Sequence, residues 1–168
     1  KLLNMEKIKV QLIIENGTVL TMDKDNRVLS KGSVVVDGNC IVEVGSTDTI
    51  RQKYTAAQVI DGKNKVVMPG LVDTYGHAGH GMIKGIYHPD HGWPSSSLYF
   101  HGSTEKWWYA EGLLSALERL RFGVTTGLTV AGATPARMDS PVFAERQIQA
   151  VGEAGVRSVI AVGPPDPL

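Results

Sequence analysis

Apolar and polar positions follow two different rhythms along this chain, and the change comes near residue 70. From Ile8 to Met68 short β-branched runs alternate with turn pairs. Val10–Glu15 and Thr18–Met22 flank Asn16-Gly17; Ser33–Val36 and Ile41–Val44 flank Asp37-Gly38-Asn39; Gln58–Ile60 and Lys65–Met68 flank Asp61-Gly62-Lys63-Asn64. Asn-Gly and Asp-Gly supply the positive φ angles of tight hairpins, so the spacing predicts three hairpins and about six strands. Thr47–Tyr54 reads as one short helix between strands.

Beyond Pro69-Gly70 strands alternate with helices. Leu71–Thr74 continues an apolar strand, and a Gly-, His-, Pro- and Ser-rich loop follows from His77 to Ser103. Thr104–Phe122 then has helical spacing, with Trp107, Ala110, Leu113, Leu114, Leu117 and Leu120 on the predicted core face. Ser103 or Thr104 would be its N-cap, and Gly123 stands just past its end. Val124–Val130 is the next strand, Val142–Ala154 a helix opened by Asp139-Ser140-Pro141 and closed by Gly155, and Val156–Val162 a third strand. Gly123-Val124 and Gly155-Val156 each end a helix and begin a strand, one βα unit apart. The pattern is β-α-β-α-β, that of a parallel sheet with helices outside.

Composition narrows the function classes. The 168 residues, 42% of them apolar, can bury a sizeable core. Basic and acidic residues number 17 each, giving no positive surplus to neutralise a phosphate backbone, and no nucleic-acid partner is expected. No apolar run approaches the ~20 residues of a membrane helix, and no secretory signal pattern is present. A cytoplasmic location without a membrane partner is therefore expected, with Met5 read as the natural start. The single cysteine, Cys40, excludes an internal disulfide and a multi-thiolate zinc site. It is expected to be a small buried hydrophobe.

Candidate chemistry concentrates in the long loop. Parallel-sheet folds place their sites in loops after strand C-termini, and this loop holds all five histidines: His77, His80, His88, His91 and His101. Neutral imidazole is the commonest nitrogen ligand for metals and titrates near neutrality, so metal binding or acid–base work is one reading. The other is a set of exposed or capping histidines. Asp73 fits either a carboxylate orienting an imidazole or a structural hydrogen bond at a strand end. Trp93, Trp107, Trp108, Tyr99 and Phe100 could line an apolar substrate pocket, although Trp107 sits on the helical core face.

The run Val66-Val67-Met68-Pro69-Gly70-Leu71-Val72-Asp73-Thr74, behind a turn-rich β module and ahead of a His-bearing strand end, resembles the N-terminal portion of the amidohydrolase superfamily of metal-dependent hydrolases. The similarity is to its deaminase and aminohydrolase branch, and Gly123-Val124-Thr125-Thr126 resembles that family's entry to its second barrel strand. The resemblance implies a small β-sandwich module at residues 5–68, followed at 69–168 by the first β-α-β-α-β part of a (β/α)8 TIM barrel. In the family this segment runs into a His-x-His pair that binds the catalytic metal. Laid onto this chain the second histidine is His77, whereas Tyr75 occupies the place of the first. A phenol must lose its proton to become a strong ligand. Either the metal site is altered, with Tyr75 or His80 filling in, or this copy is a non-catalytic scaffold or subunit that has lost its metal. The implied cofactor is a divalent metal, zinc first and iron or manganese as alternatives. The implied chemistry is attack of metal-activated water on a carbon–nitrogen bond of a small cyclic substrate, by deamination or by amide or amidine hydrolysis. No catalytic acid or base is assigned. The remaining ligands would lie outside this chain, on a second chain or a missing segment, within an oligomer.

Overall fold

The computed structural model describes residues 6–77, 81–83, 89–90, 104–131 and 140–162. It divides into two compact units between Pro69 and Gly70.

The first unit holds strands β1 (Ile8–Leu20), β2 (Val28–Asp37) and β3 (Cys40–Ser46), helix α1 (Thr47–Lys53), and strands β4 (Tyr54–Asp61) and β5 (Val66–Val67). The strand order is β3-β2-β1-β4, with β5 also paired to β1. Val10, Ile13 and Val35 of the sheet form a buried cluster with Ile50 and Tyr54, so α1 covers that face. The expected hairpin at Asp37-Gly38-Asn39 forms between β2 and β3, with Gly38 at φ 59°.

The other two expected hairpins do not form. Asn16-Gly17 lies inside the 13-residue β1, and both halves of β1 pair antiparallel with β2 through a register shift at Gly17. Asn16 takes the left-handed conformation, φ 63°, that its short polar side chain tolerates, so the pair makes a bulge where a turn was expected. β4 and β5 do not pair with each other; each runs parallel to β1, on either side of the bulge. The step between them is held by Gly62 N donating to Glu15 O (2.7 Å) and Thr18 N donating to Lys65 O (3.0 Å). A side chain at Gly17 would come within 2.8 Å of Val67 Cγ2, which explains a glycine there. Because β1 serves both edges, the module is one five-stranded mixed sheet among the described residues, not the two-sheet sandwich expected. Cys40 is exposed, since it opens β3 straight after the turn.

A buried hydroxyl ties the bulge to α1. Thr47 Oγ1 accepts from Asn16 N (3.1 Å), donates to Lys31 O (3.1 Å) and lies 2.9 Å from Ser33 Oγ; both hydroxyl side chains are buried. Thr47→Val keeps the shape and strands the Asn16 N–H and the Ser33 hydroxyl, at an expected cost of about 1–3 kcal/mol. Denaturant unfolding measures it, and an unchanged midpoint would contradict the pairing.

The turn from β1 to β2 is closed by Arg27, whose guanidinium donates to Asp23 Oδ2 at 2.8 and 3.1 Å. That guanidinium, with help from the Thr21 hydroxyl, holds the Asp23 carboxyl at about 2, below its ordinary 3.8. A depressed folded-state value means the stabilisation is complete above 3.8 and is lost as pH falls through about 2. Carbon-detected NMR titration should place the Asp23 midpoint near 2; a midpoint at 3.8 would show that the pair does not persist in solution.

The second unit is β6 (Leu71–Gly76), α2 (Glu105–Arg121), β7 (Val124–Ala131), α3 (Val142–Ala154) and β8 (Arg157–Val162). The three strands are parallel in the order β6-β7-β8. Thr104 caps α2, accepting from Trp107 N, and Gly123 and Gly155, at φ 83° and 80°, follow the two helices. At the start of α3 Pro141 stands at the cap, and Ser140 Oγ accepts from Val142 N (3.3 Å). Ala116, Val151 and Val156 form the core cluster of the unit.

The buried face of α2 differs from the leucine stripe expected. It is Trp108, Glu111, Gly112 and Ala116, while Leu117 and Leu120 are exposed. The reason is close helix packing: at Gly112 a Cβ would stand 3.2 Å from Gln147 Cα and 3.4 Å from Ala150 Cβ. Small residues set that contact, and a bulk-based reading of the helix overlooks them. Among the described residues no helix is long and apolar enough to cross a membrane.

Candidate functional site

β6 has an irregularity close to its C-terminal end. Asp73 pairs with Gly127 and Gly76 with Thr129, so three steps along β6 match two along β7. One extra residue is a bulge, and it turns Asp73 to the same side as Gly76. On that side Arg119 reaches in from α2: Nη2 lies 2.9 Å from Asp73 Oδ2, and Nη1 donates to the fully buried Thr129 Oγ1 at 2.7 Å. A Cβ on Gly76 would meet Arg119 Nη2 at 2.7 Å, and Gly127 lies 3.4 Å from the guanidinium carbon by the same measure. Both glycines therefore make room for the arginine. The other Asp73 oxygen accepts the Tyr75 backbone N–H at 3.3 Å. Asp73 thus makes structural hydrogen bonds at the strand end.

Tyr75 and His77 stand at the C-terminal end of β6, both exposed. Tyr75 Oη lies 3.2 Å from His77 Nε2, and the rings meet edge to face with centroids 5.5 Å apart. The structure thus brings together the two positions that the sequence aligned with a ligand pair. His80, His88, His91 and His101, with Trp93, Tyr99 and Phe100, lie outside the described residues. Trp107 and Trp108 pack on α2, their ring centroids 5.2 Å apart, and Trp108 is the one fully buried.

Glu111 holds the loop that leaves this strand end. Its fully buried carboxylate accepts the backbone N–H groups of Gly81 and, at 2.7 Å, Met82. A buried carboxylate with two amide donors is a charge-assisted anchor. Neither Glu111 nor Arg119 was visible as a site residue from sequence: each sits inside an ordinary helical pattern, and their partners are two backbone amides for Glu111 and two strand side chains, Asp73 and Thr129, for Arg119.

The 3.2 Å between Tyr75 Oη and His77 Nε2 is a hydrogen-bond contact. As donor types, an imidazole nitrogen is one that zinc accepts, and a phenol oxygen becomes a strong one only after losing its proton. Among the described residues no group of three or more His, Cys, Asp or Glu side chains could hold a metal ion, and a catalytic zinc takes about three protein ligands.

No family model matches the chain. It is 34% identical over 161 residues to a 5'-deoxyadenosine deaminase of Methanosarcina mazei, covering 90% of this chain and 33% of that protein. It is 26% identical over 159 residues to a 5-methylthioadenosine/S-adenosylhomocysteine deaminase of Syntrophus aciditrophicus, again covering 90% and 33%. The chain spans about a third of the length of these relatives. In fold it is similar to a zinc-complexed atrazine chlorohydrolase of Arthrobacter aurescens, with TM-score 0.73 and 23% identity over 90% of this chain and 35% of that one. An adenosine deaminase of Xanthomonas campestris with bound zinc gives TM-score 0.69 at 18% identity, over 94% of this chain and 44% of that one. Sequence and fold together place this chain in the amidohydrolase superfamily.

Proposed function

We propose that this chain supplies the β module and the opening β-α-β-α-β segment of a metal-dependent hydrolase acting on non-peptide carbon–nitrogen bonds, with deamination of an adenine nucleoside as its most specific form. The observation that carries the reading is the Tyr75–His77 pair at the end of β6, in a chain similar to deaminases of 5'-deoxyadenosine. The remainder of the barrel and of the ligand set would come from polypeptide outside residues 1–168. In the reaction water adds to the amidine carbon of the ring, the exocyclic C–N bond breaks, and the amino group leaves as ammonia with one proton of that water, while the oxygen and the other proton stay on the ring product. Zinc, when bound, supplies Lewis acidity and a water acidic enough to react near neutral pH. His77 offers an imidazole nitrogen, and Tyr75 offers a phenol oxygen that either becomes a second donor or keeps its hydrogen bond to His77. Glu111 fixes the start of the loop beyond them.

Tyr75 also supports a second reading, a non-catalytic relative whose strand end has lost its metal. Ammonia release from 5'-deoxyadenosine by the complete zinc-loaded assembly separates the two. Stoichiometric ammonia is the expected result. None from 5'-deoxyadenosine or other adenine nucleosides would favour the scaffold.

A further inference from the structure

We propose that Arg119 is a positioning residue: by bridging Asp73 and Thr129 across the β6 bulge it sets where Tyr75 and His77 project. Four observations converge on it. The bulge takes the Tyr75 N–H out of the regular ladder, and Asp73 Oδ1 accepts it. An Asp side chain can accept from the amide two residues on, and Arg119 Nη2 fixes its second oxygen while it does so. The same guanidinium grips Thr129, the residue of β7 paired with Gly76, so one side chain ties down the strand before and after the extra residue. Finally, Gly76 and Gly127 leave the space that the guanidinium occupies.

The arginine is well shielded, with a side chain 12% exposed, and its planar fork presents two donors to two acceptors in fixed geometry. Losing it leaves Asp73 a partly shielded carboxylate with no counter-ion on its second oxygen. Turning back to water then carries the Asp73 side chain away from the Tyr75 amide, and the bulge loses its register. Tyr75 lies inside that bulge and His77 directly follows it. Arg119 therefore acts on them through the backbone and touches neither ring.

The inference concerns the strand end of the proposed hydrolytic site but stands or falls on a readout that needs neither metal nor substrate. The test is NMR of the full chain, following ring-to-ring cross-peaks between Tyr75 and His77 and hydrogen exchange of the Tyr75 amide. Arg119→Met should abolish the cross-peaks and speed Tyr75 exchange by about tenfold or more, the loss of a charge-assisted hydrogen bond, while the β1–β2 amides exchange as before. Arg119→Lys, a point charge without the fork, should restore fold stability but not the cross-peaks. Retained cross-peaks and unchanged Tyr75 exchange in Arg119→Met would overturn the proposal and leave Arg119 a packing residue. Should that variant fail to fold, Thr129→Val, which removes one anchor and keeps the volume, must still weaken the cross-peaks; if it leaves them intact, the proposal fails. Absence of ammonia release by the complete assembly would bear on the reaction alone and would not touch this result.

Discussion

Trp108→Ala is expected to destabilise the second unit by about 3–5 kcal/mol, the cost of emptying a fully buried aromatic site in a packed interior. The indole is 1% exposed and sits 6.3 Å, centroid to centroid, from Phe143 of α3 and 5.2 Å from Trp107. It therefore joins α2 to α3. The surrounding backbone has little freedom to collapse into the gap, because Gly112 already brings the two helices to close contact one turn further along. Urea unfolding of the variant beside Trp107→Ala checks this. Trp107 is only partly buried, so its loss should cost distinctly less. Equal losses, or less than about 1 kcal/mol for Trp108, would mean that α2 presents a different face to α3.

Tyr75→His is expected to raise zinc affinity of the complete assembly by at least about tenfold, the lower end of what even outer partners of a metal contribute. The physical reason lies in protonation. A phenol must surrender a proton before it becomes a strong donor, whereas neutral imidazole binds without that cost. The two side chains already meet at the strand end, with Oη 3.2 Å from His77 Nε2, and the bulge that carries Tyr75 is held by Asp73 and Arg119. Competition against a chelating dye reads the change. An unchanged affinity would show that residue 75 is not at a ligand position, whatever its alignment with the family suggests.

How legible this was in the sequence depended on whether the signal was local. The helix at 105–121, its Thr104 cap and the left-handed Gly123 and Gly155 could be read because a cap and a stop act within one turn. Asn16-Gly17 misled, because the dipeptide specifies only a backbone conformation. Whether that conformation turns the chain or bulges it depends on the pairing partner, and β2 runs on past Asn16 to pair with both halves of β1. Leu117 and Leu120 misled for a related reason: apolar bulk marks a face able to be buried, but Gly112 and Ala116 decide which face approaches α3. At the site, Tyr75 and His77 were legible through the resemblance to the family's ligand pair at a strand end. Arg119 was not, because its role depends on a bulge 46 residues earlier in the chain.

The proposed function requires that Tyr75 and His77 form part of a metal site in the complete protein. Metal analysis of the complete assembly, purified without added metal and without chelator, tests it most directly. Close to one equivalent of zinc, or of iron or manganese in its place, is expected, and it should be lost on His77→Ala. Less than about a tenth of an equivalent of all three would contradict it, because a working catalytic site should be substantially occupied.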